Sequence, residues 1–273
     1  MKLYLAPGLT LDLDSPEVRA SGYRQYLVGE SGSGKSAACA SIAGQLLEGG
    51  KQVFFLDMHG ENAGLWGLAP ARVTRFGYGE SLGDIDTTSK ETIAETVSQV
   101  VAPVMAAVRA GQSVLVNLRE WAVLEPAKLD AFTLLFIKEL YAHRVKHPTD
   151  FSLLVIEEVQ QVAAQNQSKG QSDNVKVVVN ITTDGRKYGL HCLYATQRQS
   201  LVDVSVLACC NVRVFLRLTD LRDWKKIRDA IPDELGMTFE KISHFANGEA
   251  VVTCPWRKAA RVKLFLPEAI PRV

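Results

Sequence analysis

The sequence predicts an α/β protein with a mainly parallel sheet, helices on both faces, and a β-hairpin at its C-terminal end. Three observations predict it. Short apolar runs of strand length alternate with longer segments whose apolar residues recur at three and four. The first strand-to-helix junction passes through a glycine-rich turn at residues 29–36. The last two strand-like runs, 249–254 and 261–266, are joined only through 255–258, too short a link for a crossover helix, so they read as a hairpin added to an edge.

In chain order, residues 25–28 form a short strand run, and 35–48 follow at helical period until Gly49 and Gly50 stop the helix. Residues 53–57 are a buried strand run, with a glycine-punctuated stretch from 59 to 83 behind it. The segment 90–110 repeats Ile93, Val97, Val100, Val101 and Val104 on one helical face, with Pro103 as a candidate kink and Gly111 as its cap. Residues 114–118 read as a strand, 126–147 as an amphipathic helix and 153–156 as a buried strand. A polar loop, a helix near 175–183, the strand 190–196 and a further strand at 212–218 come next, and two short helical stretches lead to Phe245. Regular strand–helix alternation argues for a parallel sheet covered on both sides. The economical reading is one domain over residues 1–273, with 1–24 as a short N-terminal edge segment and 246–268 as the hairpin.

Nearly half of the 273 residues are apolar (47%), enough for a sizeable core without disulfides. The formal charge of +1 gives no sign of a wholesale nucleic-acid or membrane partner, although a local basic strip would not alter that balance. The five cysteines (Cys39, Cys192, Cys209, Cys210 and Cys254) show no C-x-x-C pairing and read as reduced thiols. No leader pattern opens the chain, and no apolar run approaches the ~18 residues needed to cross a bilayer. The expectation is a cytoplasmic protein of a prokaryote, or of a virus in a prokaryotic host, with no membrane insertion.

The chemistry begins with Gly29, Glu30, Ser31, Gly32, Ser33, Gly34, Lys35 and Ser36, which fit G-x-x-x-x-G-K-[ST] throughout. The glycines let backbone N–H groups turn inward around a phosphate, and the following helix offers its positive end. Lys35 would reach the β- and γ-phosphates of ATP, and the Ser36 hydroxyl would ligate Mg²⁺. A second signal is Glu157 and Glu158 at the end of the hydrophobic run 153–156, the edge at which open α/β sheets bind ligands. Glu157 reads as the metal-side acid and Glu158 as the group that orients or deprotonates water. Adjacent strand residues point opposite ways, so the two roles can be exchanged unless the strand is already ending. The run 193–196 ends in Gln197, whose amide can donate to a γ-phosphate and accept from water.

Taken together, these residues resemble the HerA/FtsK superfamily of DNA-translocating ATPases, the HerA branch above all. Asp57-Met58-His59-Gly60-Glu61 is similar to a D-x-H-G-E element after the second strand. Gly185-Arg186-Lys187-Tyr188-Gly189 is similar to G-R-K-[FY]-G, Ala195-Thr196-Gln197-Arg198 to S-Q-R, and residues 214–220 to an L-R-L-T-D strand. The resemblance runs from about residue 25 to 223. It implies a RecA-like (ASCE) core that binds ATP and Mg²⁺, a homohexameric ring, and double-stranded DNA as the partner. It also implies that Arg186 is an arginine finger acting on a neighbour's nucleotide, and that Asp57 and Glu61 sit beside the γ-phosphate or the subunit boundary. A surface arginine near a helix end is the plainer reading of Arg186. Glu157 departs from the usual Asp of the acid pair, and the 28 residues before Gly29 are too few for the barrel that HerA proteins carry. The expectation is therefore a compact motor core. Viral genome packaging, or a nucleotide-gated platform for a nuclease, virion or secretion partner, are the alternatives.

Several features carry less. His143 and His147 share a helix face, but beside Arg144 and Lys146 they read as a solvated helix end. Lys225, Lys226, Arg228, Arg257, Lys258, Arg261 and Lys263 read first as solvated charge and second as phosphate contacts. The polar stretch 165–173 is the candidate pore loop, with no aromatic side chain to stack on bases.

Overall fold

The computed structural model describes residues 1–77, 93–165 and 171–265. Its strands are β1 (Lys2–Ala6), β2 (Leu9–Asp12), β3 (Arg24–Val28), β4 (Gln52–Asp57), β5 (Val73–Phe76), β6 (Ser113–Asn117), β7 (Ser152–Ile156), β8 (Leu190–Thr196), β9 (Val212–Phe215), β10 (Glu249–Cys254) and β11 (Arg257–Lys263). The helices are α1 (Pro16–Ser21), α2 (Lys35–Glu48), α3 (Ile93–Arg109), α4 (Arg119–Leu124), α5 (Pro126–Lys146), α6 (Gln171–Asp184), α7 (Val204–Ala208), α8 (Leu221–Ile227) and α9 (Phe239–Ser243).

A nine-stranded sheet runs in the order β11-β10-β9-β3-β8-β7-β4-β6-β5. Every pairing from β9 to β5 is parallel, and only β10 and β11 are antiparallel. Strand periodicity divides the core between two faces. Tyr26, Val28, Phe54, Leu56, Leu154, Ile156 and Tyr194 enter one cluster with α3, α5 and α6. Leu27, Val53, Phe55, Leu153, Val155, Leu193 and Ala195 enter the other with α2 and the first two strands. Strands buried on both faces need apolar residues at consecutive positions, which is why these runs lack the polar alternation of a half-exposed sheet.

Small residues set how closely α2 lies on its neighbours. A Cβ added at Gly44 would meet the Leu68 Cδ1 at 2.8 Å, so a larger residue there would require the Leu68 side chain to move. Gly50 at φ 72 takes the left-handed conformation that ends the helix and turns the chain into β4. Helix α3 continues through Pro103 without a break.

Four expectations are corrected. The N-terminal strands form their own two-stranded sheet and do not edge the main one; Leu3, Leu5, Leu9 and Leu11 pack beside α2. Strand β5 and helix α4 fall where the sequence offered only glycine-punctuated or unassigned chain: β5 is held by its parallel pairing with β6, and α4 is a short helix with Trp121 alone buried. The strand expected over 212–218 stops at Phe215: Leu216 N–H still donates to the Val28 carbonyl in continuation of the ladder, and beyond it the Arg217 carbonyl accepts from Glu30 N–H of the glycine-rich turn. The second hairpin strand begins at Arg257, paired with Cys254, so the turn is tighter than a 255–258 link. Residues 90–92, most of the candidate pore loop (166–170), and 266–268 lie outside the described residues.

Candidate active site

Because β3, β4, β7, β8 and β9 are parallel, the segments that follow them all leave the same edge of the sheet. Strand β8 lies between β3, which carries the phosphate loop, and β7, which carries the acids.

The phosphate loop is shaped by glycine where only glycine fits. Gly32 and Gly34 have φ of 72° and 102°. A Cβ on Gly29 would lie 2.6 Å from the Ser33 Oγ and 2.7 Å from the Leu216 Cβ. Glu30 N–H donates to the Arg217 carbonyl at 2.8 Å, which anchors the loop to the segment after β9. Lys35 is nearly buried and folds back so that its Nζ donates to the Glu30 carbonyl at 3.1 Å. Burial lowers its pKa, against the opposing pull of Glu158. The Ser33 hydroxyl is fully buried and has no partner among the described residues.

The two glutamates are separated by a backbone turn. Glu157 N–H still donates to the Leu56 carbonyl, at 3.3 Å, in continuation of the ladder. Glu158 then adopts φ 48°, ψ 52°, the one positive φ outside glycine among the described residues. That conformation costs a side-chain-bearing residue on the order of 1–2 kcal/mol, strain of the kind found at functional sites. It sends the two carboxyls into different surroundings. Glu157 accepts from Asn62 Nδ2 at 3.0 Å, with the Ser36 hydroxyl close enough to oppose the rise in its pKa, while its Oε1 has no partner among the described residues. Burial, with the charge of Asp57 beside it, pushes its pKa up to about 8.

Glu158 is in the opposite state. Its Oε1 receives Gln197 Nε2 at 2.7 Å and faces His59 Nε2 at 3.3 Å. Its Oε2 receives Gln160 Nε2 at 2.6 Å and Gln197 N–H at 3.2 Å. Burial raises its pKa, but the hydrogen bonds from His59, Gln160 and Gln197 and the charge of Lys35 outweigh it, to about 2. Of two adjacent carboxyls, one is thus held ionised and the other is held protonated unless a cation joins it.

Lys35, Ser36, Glu157, Glu158 and Gln197 are therefore brought together. Two of the expected residues are placed otherwise. Asp57 is fully buried, and its carboxylate accepts from the backbone N–H groups of His59 (3.0 Å), Gly60 (2.8 Å) and Asn62 (2.8 Å). It shapes the loop that presents His59 and Asn62 to the glutamates, with its charge beside Glu157; Glu61 next to it is exposed. Arg186 lies at the other end of β8, where it packs over Gly22 and donates to the Ala20 carbonyl. The seven residues of β8 hold it on the order of 20 Å from Gln197, so it cannot serve its own phosphate loop.

Sequence reading missed His59 as a partner of Glu158, and missed Asn62, Gln160 and Arg217 altogether. The signal for His59 was present in the D-x-H-G-E resemblance and that for Arg217 in the L-R-L-T-D one, though neither gave a partner; the amides carried none, since each becomes informative only when loops from different strands converge. In the C-terminal hairpin, Arg261 pairs with Glu249 and Arg257 donates to the Gly8 carbonyl at 3.3 Å, so part of the basic strip has a structural use.

A strand between the phosphate-loop strand and the acid-bearing strand, with a polar residue at its tip, defines the RecA-like P-loop ATPase fold. The genome-packaging NTPase B204 of Sulfolobus turreted icosahedral virus 2, solved with sulfate, superposes with a TM-score of 0.57 at 15% identity, over 90% of this chain and 98% of that one. The plasmid coupling protein TrwB gives 0.61 at 12% identity, over 93% and 88%. VirB4 of Thermoanaerobacter pseudethanolicus gives 0.66 at 10% identity, over 99% and 97%. These likenesses show the fold of the chain. No family model and no curated protein matches the sequence. No helix among the described residues is long and apolar enough to cross a membrane.

Proposed function

We propose that the chain is an ATP-hydrolysing motor that moves double-stranded DNA as a ring, in the manner of the HerA/FtsK ATPases, and that residues 1–273 act as one domain. The observation that carries the hydrolytic reading is the ionised Glu158, fastened by four contacts within reach of the lysine-bearing loop. A carboxylate held ionised at so low a pKa is a weak base, so Glu158 acts first by orienting and polarising the water at the γ-phosphate once one of its four contacts opens, and takes up the proton only as the bond to phosphorus forms and that water turns acidic. Gln197 holds Glu158 by its amide and is placed to orient the same water. Lys35 and the backbone amides of residues 34–36 at the head of α2 bind the phosphates and offset their charge, while the amides of Gly29, Glu30 and Ser33 are taken by the Thr196, Arg217 and Glu30 carbonyls.

The donors at Ser36 and Glu157 are oxygens, with the Glu157 Oε1 left without a partner, and this set suits Mg²⁺. When bound there, Mg²⁺ would supply charge neutralisation on the phosphate oxygens. Glu157 would lose its proton to solvent as such a cation bound, because positive charge beside the carboxyl lowers the pKa that burial has raised to about 8.

The fold's likeness to a viral packaging NTPase supports genome packaging as a second reading of the same motor. The deciding experiment compares phosphate release from ATP with and without duplex DNA at low salt, for the wild type and for Glu158→Gln. DNA-stimulated release that the substitution abolishes is expected. Hydrolysis indifferent to DNA would remove the translocase reading while leaving the ATPase in place.

A further inference from the structure

The phosphate loop contains an acid where a triphosphate is to bind. Glu30 is the second residue of the loop, and its carboxylate would repel an anion that its own backbone is shaped to receive. It is not left free: Glu30 Oε1 pairs with Arg217 Nε, and Glu30 Oε2 accepts from Thr219 Oγ1. Arg217 is itself tied down by Nη1, which donates to the Phe245 carbonyl at 3.2 Å. Its Nη2 has no partner among the described residues and lies 3.9 Å from where a Cβ on Gly32 would stand. The guanidinium therefore flanks the loop from the β9 side, opposite Glu158 and Gln197. The backbone reinforces this placement, through Glu30 N–H to the Arg217 carbonyl and Gly248 N–H to the Ser33 carbonyl, each at 2.8 Å.

We infer that Arg217 is a positioning residue for nucleotide binding: it is the resident counter-ion of Glu30, and it keeps that carboxylate neutralised and turned away from the phosphates. The argument rests on the reading of residues 29–36 as a triphosphate site. Both side chains are about a quarter exposed (28% and 27%), so the pair is salt-sensitive and contributes little to folding. Its consequence falls on the ligand. With Arg217 present, the loop meets a triphosphate with the Glu30 charge cancelled. Without Arg217, a bare carboxylate stands in the anion site, and repulsion of that kind acts on binding far more than on the chemistry of bound ATP.

A charge cycle tests this, with the equilibrium affinity for a fluorescent ATP analogue and the KM and kcat of hydrolysis as readouts. Arg217→Gln is expected to weaken binding by about tenfold, equivalent to ~1.4 kcal/mol, with kcat within about threefold. Glu30→Gln, which keeps hydrogen bonds to Arg217 and Thr219 but removes the acid, is expected to bind at least as tightly as the wild type. The double variant Glu30→Gln/Arg217→Gln should recover to within about threefold of the wild type, and the Arg217→Gln defect should change with added salt. Loss of packing alone predicts no recovery, so a double variant as weak as Arg217→Gln overturns the inference, as does weaker binding by Glu30→Gln. A wild type that binds no analogue at all would instead remove the triphosphate site on which the inference stands.

Discussion

At the scale of single residues, Glu158 is the group whose loss should be felt in the chemistry and not in binding. Removing a positioned general base typically costs 10²–10⁴ in rate, so Glu158→Gln should lower the rate of phosphate release by about 10²–10³. The glutamine's single oxygen can still accept from Gln160 Nε2 and the Gln197 N–H on the Oε2 side, and the affinity for an ATP analogue should stay within a few-fold. A variant that hydrolyses ATP at the wild-type rate would move the base elsewhere. His59 offers a gentler test. Its ring nitrogen faces Glu158 Oε1, and that contact raises the histidine's own pKa. His59→Ala should lower kcat by about tenfold while Gln197 and Gln160 still hold the carboxylate, and His59→Gln should restore part of the loss because an amide can donate in place of the ring nitrogen. If alanine raised KM and left kcat alone, His59 would belong to the binding of nucleotide and not to the placement of the base.

At the scale of elements, the parallel pair β3–β8 sets the spacing between the phosphate loop and Gln197. One buried histidine helps to register its far end. Tyr23 N–H donates to His191 Nδ1 at 3.0 Å, and the ring stacks on Phe151 with centroids 4.2 Å apart. Burial lowers the His191 pKa to about 4, so the ring is neutral in the fold, as an acceptor at Nδ1 must be. Above pH 6.5 the ring is neutral in both the folded and the unfolded chain. Between 6.5 and about 4 only the unfolded chain takes up the proton, and stability falls with pH. The loss reaches ~3 kcal/mol by the lower limit. Denaturant unfolding at pH 7 and pH 4.5 should show a smaller acid loss for His191→Asn, which keeps an acceptor that does not titrate; an equal loss in both proteins would place the sensitivity at other groups. These elements also show what the sequence could and could not reveal. Apolar runs such as 153–156 and 190–196 are long enough and buried enough to declare themselves, and the motif at 29–36 carries its own spacing. Strand β5 is short and half-buried, with Arg75 within it, and is a strand only because β6 lies alongside. The roles of Asp57 and Gln160 were hidden for a related reason, since the first is decided by three backbone N–H groups and the second by a contact with Glu158.

At the scale of the whole molecule, the sheet separates two functions that the resemblance joins in one motor. The groups proposed to hydrolyse ATP gather at the C-terminal edge of the parallel strands, and Arg186 stands at the N-terminal edge of β8. Within one copy of the chain the two cannot meet, so a catalytic Arg186 requires a neighbour whose phosphate loop faces it. A guanidinium supplied in that way adds about 10³–10⁵ to the rate of phosphoryl transfer, whereas a surface arginine adds nothing. Arg186→Ala should therefore bind ATP normally, hydrolyse it at least about 10³-fold more slowly, and show no dependence of specific activity on protein concentration where the wild type shows a rise. Complementation sharpens the test. When Arg186→Ala and Glu158→Gln are co-expressed in equal amounts, roughly a quarter of the interfaces would pair an intact Glu158 in the subunit holding ATP with an intact Arg186 in its neighbour, and activity should return in that proportion. Two individually inactive chains that stay inactive in a mixed oligomer would show that Arg186 does its work within its own subunit, by holding the Ala20 carbonyl and the start of β3 in place.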